Sequence, residues 1–201
     1  PMQSAPAALL SELTVTRGIA PISAAPQTIG GHIDATLWEG EFSQDNNTTT
    51  SGRVITGLQS VDSSYQIAIM AAAATRNHKI AITLLQEQGD DAEFGGGEIM
   101  PTEYERQRTG IQHSWQTERQ EFNIRYSNSK TGDAGTPALA MDIEYIDSEV
   151  VNLDYAINLD NWRLSANFTD TDVEHSMSNF HLRSAPIQAR WRSNLATAEG
   201  T

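Results

Sequence analysis

Residues 150–169 alternate so strictly that they fit two strands facing each other across a turn and little else. On the first strand Val151, Leu153, Tyr155 and Ile157 share one face, while Asn152, Asp154 and Ala156 share the other. A helix would mix the two sets around its circumference. On the second, Trp162, Leu164, Ala166 and Phe168 oppose Arg163, Ser165, Asn167 and Thr169, with residues 158–161 as the turn. One face is therefore apolar with Tyr and Trp near the turn, and the other carries Asp, Asn and Arg. Two architectures produce this pattern. In a soluble β-sandwich the apolar face packs on a core; in a membrane barrel it meets lipid, with Tyr and Trp at the headgroups.

Composition narrows the choice only partly. No apolar run among the 201 residues approaches the roughly 20 needed for a spanning helix, which excludes a helical membrane protein but not a barrel. The formal charge of -13 disfavours a nucleic-acid partner and suits cation capture or solubility. The absence of Cys argues against a disulfide framework or a Cys-based zinc site. Pro1, without a signal peptide or initiator Met, and a strand-like run at 187–192 close to the last residue read as a fragment of a longer chain.

Residues 1–11 are rich in Pro, Ala and Ser, with an apolar patch at Leu9 and Leu10. A strand over 12–22 then ends in a Gly and Pro turn, and a second over 28–36 is entered through Gly30 and Gly31, a pair that marks close backbone approach. Arg17-Gly18-x-x-Pro21, followed by Ile29-Gly30-Gly31-x-Ile33 and another strand, resembles the end of the plug domain of TonB-dependent outer-membrane receptors. The resemblance implies an all-β chain forming part of a transmembrane antiparallel β-barrel. Residues 1–43 would be the C-terminal part of the N-terminal plug and 44–201 the first barrel strands.

Beyond the polar linker at 44–50, strands are expected near 52–60, 65–75, 79–87, 106–116, 120–127, 143–157, 162–172 and 187–192. Connections at 76–78, 117–119 and 158–161 are tight; those at 88–105, 128–142 and 171–186 are long. Outer-membrane barrels place short turns on the periplasmic side and long loops outside. With the first strand ascending, 60–64 becomes a short outer connection, and every later turn falls on the matching side. Asp90, Asp91, Glu93, Glu98, Asp133 and Asp142 make the long loops acidic. Solvation accounts for most such residues; a cation-attracting vestibule, or divalent ions bridging lipopolysaccharide, are the functional alternatives.

His175 and Met177, one residue apart, point to the same side of a strand. Counted from Arg163, Ser165 and Asn167, that side is the lumen, near the outer mouth. Thioether sulfur selects Cu(I), and imidazole accepts copper in either state. The stretch 173–180, continuing to Arg183, resembles the His-x-Met region of TonB-dependent copper receptors, and 136–143 is similar to a loop of that subfamily. The resemblance implies a plug Cys-x-x-x-Met completing the site. Met2 takes the Met position, and the cysteine would precede the chain. Two departures stand out: Gln3, Ser4 and Ala5 precede Pro6 where the family often has prolines sooner, and Ser178 occupies a common Asp position before Asn179. Met100, Met141 and His181 lie in or near the long loops, where exposed residues of these types are ordinary, and His32, His78 and His113 receive no role.

The resemblance thus implies copper as the transported ligand rather than a catalytic cofactor, and energy-coupled uptake across the outer membrane of a Gram-negative bacterium. The partners would be copper or a metal chelate, outer-membrane lipid, and a TonB-type inner-membrane protein acting on the missing plug N-terminus. No nucleic acid is expected. A ferric-siderophore receptor is the nearest rival, disfavoured by acidic loops. Asp172, His175 and Ser176 or Ser178 are merely near in sequence, which does not make a hydrolytic triad, so no enzyme is expected. A soluble β-sandwich binding module is the third reading.

Overall fold

The computed structural model describes residues 6–19, 29–179 and 188–200, which fall into two compact units, Pro1–Trp38 and Glu39–Thr201. In the first unit a 3-10 turn at Ala7–Leu9 buries Leu9 completely and leads into β1 (Leu10–Ile19), which pairs antiparallel with β2 (Ile29–Leu37). The Trp38 N–H donates to the Leu9 carbonyl at 2.8 Å, tying the end of the unit to its start. Gly31 has φ +133°, and a Cβ there would lie 2.5 Å from the Thr16 carbonyl oxygen. Only glycine lets the two backbones come this close. The paired glycines of the sequence are therefore explained by their neighbour, β1.

The second unit is one antiparallel sheet of eight strands. Its first three are β3 (Thr49–Leu58), β4 (Tyr65–Ala74) and β5 (His78–Gly89). A small separate hairpin follows, β6 (Ala92–Phe94) with β7 (Gly97–Ile99). The sheet resumes with β8 (Tyr104–Gln116), β9 (Gln120–Ala134), β10 (Asp142–Leu159), β11 (Trp162–Ser178) and β12 (Gln188–Gly200). Each strand of the sheet pairs with the next one along the chain, so the whole is an up-and-down meander.

Several strands outrun their apolar patterning. β9 continues to Ala134 rather than Ser127, and β11 to Ser178 rather than Asp172, through partners such as Asp147↔Lys130 and Asp147↔Glu174. Ladder hydrogen bonds use the backbone, so polar side chains do not end a strand where periodicity stops being visible. The four-residue turn expected at 158–161 is likewise tighter: Asn158↔Arg163 and Leu159↔Trp162 pair, leaving a two-residue turn at 160–161 with Asp160 at φ +35°. Asp and Asn tolerate the positive φ that such tight hairpins require. The alternation of connections survives these shifts. Turns at 75–77, 117–119 and 160–161 lie at one end of the sheet; the connections at 59–64, 90–103 and 135–141 lie at the other.

The two faces of this sheet are inverted relative to a water-soluble one. Ile69, Ile82, Leu84, Ile111, Tyr126, Leu164 and Phe168 are all more than a third exposed, and Trp162 is 74% exposed. They are contiguous in register: Ile69↔Leu84 on β4 and β5, then Ile82↔Ile111, Ile111↔Tyr126, Tyr126↔Val151, and Leu153↔Phe168. On the opposite face Lys79, Gln112, Ser114, Ser127 and Thr131 are buried, joined on β4 by the small or flexible Ala68, Met70, Ala72 and Ala74. An exposed apolar band of this extent is rare on a soluble monomer.

Candidate functional site

His175 and Met177 stand on β11 on the same face as Arg163, Ser165 and Asn167, as their alternation requires. In register His175 lies between Ile146 on β10 and Trp191 on β12, and Met177 between Ile143 and Ala189. Both are half-buried. Burial pushes the His175 imidazole below the ordinary histidine value, because a partly desolvated ring resists taking a proton. The shift favours the neutral form, which is the one that ligates metals.

The register of β10 shifts between Ile143 and Tyr145, so Glu144 is extra to the ladder. This bulge brings the Glu144 carboxylate to the Ser176 hydroxyl, which donates to it at 2.6 Å. One residue on, the Tyr145 hydroxyl donates to Glu174 at 3.0 Å. The preceding connection folds onto the start of β10: the Thr136 N–H donates to Asp142 Oδ1 at 2.8 Å, and Asp142 is only 1% exposed. Asp142↔Ser178 and Ile143↔Met177 are Cα partners. The two stretches singled out in the sequence, 136–143 and 173–180, therefore meet across the β10–β11 ladder at 142–143 and 177–178, where Met141 of the first is half-buried.

Met2, the third expected ligand, lies outside the described residues, as does His181. The other residues weighed in the sequence lie elsewhere. Met100 follows β7 and is 66% exposed. Asp172 is not beside His175: its register partner is Glu149, on the face opposite to His175, and its carboxylate is ion-paired with Arg192. Among the described residues no three His, Cys, Asp or Glu side chains cluster closely enough to hold a metal by themselves.

A second feature escaped sequence reasoning. Glu39 is ion-paired with both Lys79 on β5, at 3.3 Å, and Arg125 on β9. Lys79 also donates to the Gly40 carbonyl and sits 4.8 Å above the Phe42 ring, a cation–π arrangement. From Arg125 a chain of hydrogen bonds crosses the polar face. Arg125 donates to Gln112 at 2.7 Å, Gln112 to Ser114 at 3.0 Å, Ser114 to Asn123 at 3.0 Å and Asn123 to Asp154 at 3.2 Å; Asn167 donates to the same Asp154 carboxylate. Polar residues at alternate positions were the available signal. Their partners lie on other strands, and periodicity does not pair them.

Taken together, a meander with an exposed apolar band, a networked polar face and segregated connections has the form of a β-barrel wall. No protein-family model and no curated protein matches the sequence. Among solved structures the chain is similar to the copper transporter OprC, with a TM-score of 0.80 at 17% identity over 94% of this chain. It spans 30% of that protein's length, and the likeness is one of fold.

Proposed function

We propose that the chain is part of a TonB-dependent outer-membrane transporter that takes up copper. On this reading residues 1–43 belong to the plug and 44–201 to the barrel wall, with the apolar band in lipid and the short turns in the periplasm. The observation that carries the copper assignment is that His175 and Met177 share the polar face at the long-connection end, Met177 opposite Ile143 at the end of the 136–143 stretch and His175 opposite Ile146. A neutral imidazole and a thioether on one face offer the donor pair that suits Cu(I). Copper is cargo here, bound firmly enough to be captured and released when the inner-membrane partner pulls on the plug.

An anionic metal chelate is the second reading, favoured by Arg106, Arg108 and Arg125, whose register places all three on the polar face of β8 and β9. Titration of the detergent-purified protein separates the two. Tight copper binding that is lost on combining His175→Ala with Met177→Ala is the expected result. Binding of a ferric chelate with copper affinity unchanged in that variant would favour the second reading.

A further inference from the structure

The bulge on β10 decides which residue faces Met177. From Leu159 back to Tyr145 the ladder with β11 keeps one register, with Ile146 opposite His175 and Tyr145 opposite Ser176. Continued without a break, it would bring Glu144 opposite Met177, on the polar face beside His175. Ile143 takes that place, because Glu144 is extra. A bulge sets two residues against one, so Glu144 and Tyr145 share Ser176 as their partner. Both side chains go to the face that Ser176 occupies: the hydroxyl of the fully buried Ser176 donates to the Glu144 carboxylate at 2.6 Å, and the Tyr145 hydroxyl donates to Glu174 at 3.0 Å. β9 keeps step with an extra residue of its own, Asp133 at φ +46°, between the pairs Tyr145↔Gly132 and Ile143↔Ala134.

The consequence is a change of donor set. The register partners of His175 are Ile146 and Trp191, and those of Met177 are Ile143 and Ala189, so none of the four brings a side-chain oxygen. Strand parity alone would have put a carboxylate among them, in Glu144. A carboxylate beside an imidazole is a donor set for Zn2+ and other divalent ions, whereas a thioether and an imidazole without a hard oxygen suit Cu(I).

We propose that the Glu144 bulge sets the metal specificity of this mouth. By turning the carboxylate away from the polar face and onto Ser176, it keeps the His175 and Met177 pair soft, so that the site takes Cu(I) and discriminates against divalent ions such as Zn2+. The inference rests on the copper reading and adds Glu144 and Ser176 to it as positioning residues. They act through the donor they withhold rather than by touching the ion.

Two single-residue deletions test this, because each restores an uninterrupted ladder with β11. Deleting Glu144 leaves Ile143 opposite Met177, and deleting Ile143 puts Glu144 there. The detergent-purified native protein and both variants are titrated with Cu(I) and with Zn2+. The native protein and the Glu144 deletion should each bind Cu(I) about a hundredfold more tightly than Zn2+. Deleting Ile143 should tighten Zn2+ roughly tenfold or more, and adding His175→Ala should remove that gain. Ile143→Glu, which keeps the bulge, should give the same gain and serves where a deletion does not fold. The proposal is overturned if Zn2+ affinity is unmoved in both the Ile143 deletion and Ile143→Glu, or if deleting Glu144 produces the same gain. Failure of the copper reading looks different: the native protein then shows no Cu(I) binding that depends on His175 and Met177, and the specificity assignment falls with it.

Discussion

At the scale of single residues, His175 illustrates how burial and metal competence coincide. Its lowered proton affinity means that the folded protein binds that proton more weakly than the unfolded chain does. Its contribution to stability is thus complete above about pH 6.5 and declines as the pH falls below that value. Copper affinity should follow the same direction, weakening on acidification with a midpoint below the ordinary histidine value. Titrations at a series of pH values check this, and a midpoint at or above the ordinary histidine value would contradict it. Replacing either His175 or Met177 alone with Ala should weaken copper at least tenfold, or about 1.4 kcal/mol. The parity of both residues was readable in the sequence because Arg163, Ser165 and Asn167 set the phase. The extra residue Glu144 was not, since a bulge leaves no trace in a pattern whose polar residues already occur on both faces there.

At the scale of strands, the apolar band and the polar network make opposite demands on neighbouring positions. Ile82 on β5 is 42% exposed in the band, flanked in register by Ala71 and Ile111. Ile82→Arg would place a charge on the lipid-facing side and should destabilise the folded barrel by about 2–4 kcal/mol near mid-bilayer. Thr83→Ser, on the other face, should change stability little. Denaturant unfolding in lipid vesicles measures both. Glu39→Gln removes the counter-charge from Lys79, whose side chain is only 7% exposed. A loss of about 2 kcal/mol is expected, below the roughly 3–5 kcal/mol of a fully buried pair because Glu39 itself is 29% exposed. Existence and order of the large strands were legible from periodicity. Their ends were not, because β9 and β11 extend through acidic and polar residues held by backbone pairing, which leaves no apolar period to follow.

At the scale of the molecule, charges of both signs occur on each face of the sheet. Asp147, Glu149, Asp172 and Glu174 extend the apolar face of β10 and β11 beyond its apolar band, opposite or beside Lys130 and Arg192, while Lys79, Arg106, Arg108, Arg125 and Arg163 share the polar face with Glu87, Glu121 and Asp154. Net charge alone hides this pairing, since it sums over both faces. The sheet order ends at β3 and β12, each hydrogen-bonded to one neighbour among the described residues. Open edges of this kind invite further pairing or aggregation. These 201 residues expressed alone should therefore not give a monomeric, heat-resistant barrel; a sharp reversible unfolding transition in detergent-free buffer would contradict that.

Copper accumulation by Gram-negative cells producing the native protein, compared with cells lacking it, tests energy-coupled copper uptake most directly. Uptake should exceed the background, collapse when the inner membrane is de-energised, and fall to background with His175→Ala plus Met177→Ala although the barrel still reaches the outer membrane. Equal accumulation with and without the protein, or uptake indifferent to that double substitution, would contradict copper transport through this mouth.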